Sequence, residues 1–174
     1  ILNMIKDTSG DSYEAARSLD QHLTFNKAVD FFSKRKVEFG RTQMRSLHLI
    51  GEDGMYTNLA FLLSEQCTHM IKLAAFEGSK KSVFRDRQEL SGSLLNQMEE
   101  AFNYIDRYNR TRAEFSGLDR LDMRDYPTEA IREALLNAIV HRDYSFSGAT
   151  LISIFEDRIE FVTIGGLVKG IALD

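Results

Sequence analysis

Apolar and polar positions divide the chain into stretches of different period. Ser93 to Tyr108 carries Leu94, Leu95, Met98, Ala101, Phe102 and Ile105 at helical spacing, predicting a long amphipathic helix from Ser91 or Ser93. Tyr126 to Tyr144 predicts a second helix, opened by Pro127 in the first helical position, where its missing N–H costs nothing. Ile131, Leu135, Ala138 and Ile139 form one apolar face of it; Ala130, Ala134, Leu136 and Val140 extend that character, so burial nearly all round is expected.

Strand signals flank these helices. Met70–Phe76 is a short apolar run that ends at Glu77-Gly78. Ala149–Phe155 and Arg158–Thr163, separated by Glu156-Asp157, predict a hairpin with alternating faces along the second strand. Lys80–Leu90 is a charged stretch expected to carry the chain over the surface. Earlier, Thr24 is the expected N-cap of a helix reaching Lys34–Lys36, Gly40 breaks the chain, and Gly51–Gly54 turns it. Thr57 then caps a helix whose Leu59–Leu63 segment is expected to be buried. Ile1–Gln21 reads as a linker with a short helix. The order of elements predicts an α+β fold.

A chain of 174 residues, 43% hydrophobic and 28% charged, can bury a substantial core. The net charge of −4 and pI near 5.6 exclude a surface that is basic overall. Lys34, Arg35, Lys36, Arg41 and Arg45 stand against Glu38 alone, either a solvated basic face or a helix-turn-helix. Arg107, Arg110 and Arg112 form a smaller cluster at the end of the long helix. One cysteine, Cys67, excludes an intramolecular disulfide, and His22, His48, His69 and His141 have no zinc-type spacing. A reducing, cytoplasmic location is expected, and no apolar run approaches the roughly 18 residues of a membrane span.

Candidate chemistry lies on the second helix. Glu133, Asn137 and His141 sit four residues apart and form a polar stripe of about 12 Å. Desolvated and unpaired, these groups would cost several kcal/mol (about 2–7 for an amide), so the stripe either bonds to neighbouring protein groups or lines a wet, ligand-holding cleft.

The string R-E-A-L-L-N-A-I-V-H-R-D-Y closely resembles the first ATP-binding motif of the RecG-related, Schlafen AlbA-type bacterial transcriptional regulators. These carry a divergent GHKL-like ATPase domain with a two-layer α/β sandwich. The resemblance extends over T-N-L-A-F-L-L, I-K-L-A-A-F-E-G and R-D-R-Q-E-L-S-G, and thus most of residues 50–174. It implies ATP and Mg2+ as cofactors, Glu133 as the group that orients or deprotonates the attacking water, and Asn137 as the magnesium ligand. His141 matches the motif and is grouped with the nucleotide-binding residues. Gly165 and Gly166 occupy the family's glycine loop, but Thr163 and Ile164 replace its Asn-Pro and the loop holds no adenine-reading carboxylate. The resemblance further implies a fragment: residues 1–115 a helical and mixed connecting region, 116–174 the first part of the ATP-binding domain. DNA would be contacted through an N-terminal AlbA-type domain outside the chain, and the protein could self-associate. Two functions stay open: an ATP-dependent switch controlling DNA binding or assembly, and a non-enzymatic dimerisation or DNA-binding scaffold that has lost its nucleotide.

Overall fold

The computed structural model describes residues 12–116 and 119–165. The chain is α+β and divides into two compact units drawn from interleaved stretches. Unit 1 comprises Ile1–His69, Ser91–Gln97 and Tyr144–Ser147; unit 2 comprises Met70–Leu90, Met98–Asp143 and Gly148–Asp174. The expected division at 115/116 falls inside unit 2, whose sheet takes strands from both sides of it.

Among its described residues unit 1 is built on the short helices α1 (Asn26–Ser33), α2 (Arg41–Ser46) and α3 (Asn58–Leu63). Their core gathers Leu23, Phe25, Ala28, Leu49 and Ala60, with Phe39, Met44 and Tyr56 packed against them. Thr57 caps α3 as expected: its Oγ1 accepts from the Ala60 N–H at 3.4 Å and donates to the His48 carbonyl at 2.9 Å. Thr24 does not cap α1. Its backbone N–H donates to Gln66 Oε1, and the helix starts after Phe25 with the Glu65 carboxylate accepting from the Lys27 N–H at 2.8 Å. A distant carboxylate thus replaces the local cap, favoured by the positive end of the helix. Of the Ile1–Gln21 stretch expected to be a linker with a short helix, residues 1–11 lie outside the described residues; residues 13–15 form a turn, with Ala15 and Ala16 N–H groups donating to the Ser12 carbonyl.

Unit 2 contains β1 (Ile71–Phe76), β2 (Phe84–Leu90), β3 (Thr111–Ser116), β4 (Asp119–Arg124), β5 (Thr150–Ile154) and β6 (Ile159–Val162), with α5 (Thr128–Val140) and the larger part of α4 (Leu94–Tyr108). Four strands form one sheet in the order β2-β1-β5-β6. Here β1 and β5 run parallel, Ile71 opposite Thr150, while β2 and β6 join antiparallel at the edges. Met98 onward in α4 and Ile131 and Leu135 of α5 meet Ile71, Leu73, Ala75, Ile152 and Ile154 in one core.

Three expectations change in unit 2. The charged Phe84–Leu90 stretch is an edge strand, not a surface crossing; only Leu90 is buried, and charged side chains tolerate the open side of an edge. Pro127 is the N-cap rather than the first helical residue, with φ −58° and ψ 137°, and its carbonyl accepts from Ala130 and Ile131. Burial all round α5 is not found: Ile131, Leu135 and Ala138 are buried, whereas Ala130, Glu133, Asn137 and Val140 are exposed. Alanines and one valine tolerate water, so an apolar count does not dictate a second packed face. The β3–β4 hairpin had no counterpart among the expected elements; it pairs Thr111 with Arg124 through Ser116 with Asp119.

Candidate functional site

Helical spacing on α5 carries Glu133 and Asn137 one turn apart on its open side, and the Asn137 Nδ2 donates to Glu133 Oε1 at 3.3 Å. The pair is therefore satisfied along the helix. The Glu133 side chain is exposed. With its amide nitrogen directed to Glu133, Asn137 keeps Oδ1 as an uncommitted acceptor among the described residues, the hard oxygen that magnesium takes. Among the described residues no group of three or more His, Cys, Asp or Glu side chains is placed to hold a metal. An ion at Asn137 would draw its remaining ligands from water and phosphate oxygens.

His141 ends the helix as its C-cap, with its N–H donating to the Asn137 carbonyl at 3.1 Å and its side chain exposed. Here the stripe meets the loop that follows β6. The Asp143 N–H donates to the Ile164 carbonyl at 2.7 Å, and a Cβ placed on Gly165 would lie 2.6 Å from the His141 carbonyl oxygen. Only glycine fits so close to that carbonyl. Four of the five expected site residues, Glu133, Asn137, His141 and Gly165, thus belong to one continuous strip of unit 2; Gly166 lies outside the described residues.

Sequence reasoning left Arg142 without a role. It is 4% exposed, and its guanidinium donates to the Gly148 carbonyl and to Thr150 Oγ1. Arginine is usually exposed; here its partners are supplied six and eight residues further along the chain, at Gly148 and Thr150. A separate crevice of about 30 Å³, bordered by Phe76, Arg85, Tyr108, Arg110 and Tyr126, shares no residue with the stripe and has room for about one water.

No family model matches the chain, and no curated protein matches it. A similar fold occurs in the crystal structure of the DIP2311 protein from Corynebacterium diphtheriae, with a TM-score of 0.78 and 18% identity over 97% of this chain. The likeness is one of fold. This chain spans 36% of the length of that one. Among the described residues no helix is long and apolar enough to cross a membrane.

Proposed function

We propose that the chain is part of a RecG-related, Schlafen AlbA-type transcriptional regulator and supplies the opening segment of a GHKL-like site for Mg-ATP. The observation that carries this reading is that the Glu133–Asn137 pair lies on the open side of the helix whose C-terminal end, at the His141 carbonyl, has the Gly165 loop packed against it. Asn137 Oδ1 is an acceptor of the kind a hard cation takes, and glycine leaves the loop's backbone open to close approach. When bound, magnesium would neutralise phosphate charge. Asn137 would orient it through Oδ1, His141 would border it, and Glu133 would orient a water or take its proton once the bound nucleotide excludes solvent. Control of DNA binding or of self-association belongs to the longer protein, acting in the cytoplasm.

The non-enzymatic scaffold is favoured by a different observation. Glu133 is exposed, and Thr163 to Gly165 contains no carboxylate that could read adenine. Calorimetric titration of the full-length protein with ATP, with and without magnesium, separates the two. Magnesium-dependent heat that Asn137→Ala removes supports the switch, whereas no binding at millimolar ATP by folded protein leaves the scaffold.

A further inference from the structure

We propose that Arg142 is the positioning residue of the Thr163–Gly165 loop, holding it against the end of α5 from inside unit 2. The purpose assigned to that loop, bordering phosphates, rests on the Mg-ATP reading above; the positioning itself does not.

The loop is held at three places. Thr163 Oγ1 lies 3.4 Å from Thr150 Oγ1, the Ile164 carbonyl accepts from the Asp143 N–H at 2.7 Å, and the Ile164 side chain fills the space beside Gly148 that a Cβ would need. Arg142 stands behind two of these places and is the chain neighbour of the third. Its Nη1 donates to Thr150 Oγ1 at 3.3 Å, and its Nη2 donates to the Gly148 carbonyl.

The donor order follows from the charge. A guanidinium only donates, so Thr150 Oγ1 accepts from Arg142, while either hydroxyl can donate in the 3.4 Å contact between Thr150 Oγ1 and Thr163 Oγ1. Thr150 is 1% exposed, with its N–H donating to the Met70 carbonyl, so water does not compete for that hydroxyl. A buried guanidinium is costly to leave unsatisfied, which makes the position of its acceptors definite. Arg142 therefore sets both supports of the loop at once, while the loop's outer side remains open at Gly165.

The test reads the loop directly through hydrogen exchange of the Asp143 amide, whose acceptor is the Ile164 carbonyl, in the full-length protein. Thr163→Val keeps side-chain size but breaks the hydroxyl relay. It should speed Asp143 exchange about tenfold, with β5 and β1 amides unchanged and Thr163→Ser restoring protection. Arg142→Lys, which keeps the charge but cannot fork to both acceptors, should do the same. Unchanged Asp143 exchange in Thr163→Val would overturn the positioning role, as would a loss of protection spread evenly over the sheet. Mg-ATP titration of the same variants is a separate readout. A weaker Kd accompanying the faster exchange supports the loop's link to phosphates, and an unchanged Kd refutes that link. Absence of binding in wild type would remove the nucleotide reading, with the positioning still decided by exchange.

Discussion

Replacing Gly165 with alanine is the sharpest steric test of the site. The new Cβ would lie 2.6 Å from the His141 carbonyl oxygen, with the His141 carbonyl carbon at 3.7 Å and the Arg142 Cα at 3.9 Å. Ordinary contact begins at 3.4 Å, so the methyl is about 0.8 Å too close, and its neighbour is backbone rather than a flexible side-chain end. The helix end is fixed by the His141 N–H bond to Asn137, so the loop must yield. Moving outward by this amount stretches the 2.7 Å bond from Asp143 to the Ile164 carbonyl beyond hydrogen-bonding range. The lost bond and the residual overpacking together should cost about 1–3 kcal/mol. Urea unfolding of wild type and Gly165→Ala measures the difference, and Asp143 amide exchange locates it. A variant as stable as wild type, with Asp143 equally protected, would show that Gly165 does not pack on the helix end. Gly54→Ala is a useful contrast, because nothing lies within 4 Å of the added Cβ and only the left-handed φ of +79° opposes it. Its cost should be about 1–2 kcal/mol with no change at Asp143.

Three further outcomes follow from unit 1 and from α5. Gln97 has no exposed surface and donates to the His69 and Gly92 carbonyls at 2.8 and 2.6 Å, so Gln97→Ala should destabilise the protein by about 2–4 kcal/mol in denaturant titration. Burial pushes the Glu65 carboxyl up, but hydrogen bonds from Thr24, Lys27 and Asn26 outweigh it and leave the group below its ordinary value of 4.5. Its contribution is complete above that value and is lost as pH falls through the lowered folded value. Protection of the Lys27 amide should follow this acid loss, and Glu65→Gln should flatten it. If ATP is hydrolysed, Glu133→Gln should lower kcat by about a hundredfold or more with little change in ATP affinity, as expected of a general base; equal loss in both would assign Glu133 to binding.

Local signals carried much of the fold. Thr57 before an apolar run, proline before α5 and Glu156-Asp157 between two strands each act within a few residues, and each marks an element that formed. The parallel partner of β1 lies more than seventy residues away at β5, and no local pattern specifies it. β2 was hidden because an edge strand alternating Arg, Asp, Gln and Glu has little apolar periodicity. In β3 and β4 the basic residues obscured an alternation of Ala113 with Phe115 and Leu121 with Met123. The stripe of Glu133, Asn137 and His141 was visible from helical spacing, but its exposure was not, because α5 packs on one face only. Arg142 was left without a role for a physical reason: arginine is usually exposed, and nothing in the local pattern shows that the chain turns back to offer it the Gly148 carbonyl and the Thr150 hydroxyl.

The central claim is that the end of α5 binds Mg-ATP through Asn137. Calorimetric titration of the full-length protein with ATP, in magnesium and in a chelator, tests it directly beside Asn137→Ala. The account predicts binding that requires magnesium and weakens at least about tenfold in the variant. Equal affinity with and without magnesium, or no heat from folded wild type at millimolar ATP, would contradict it.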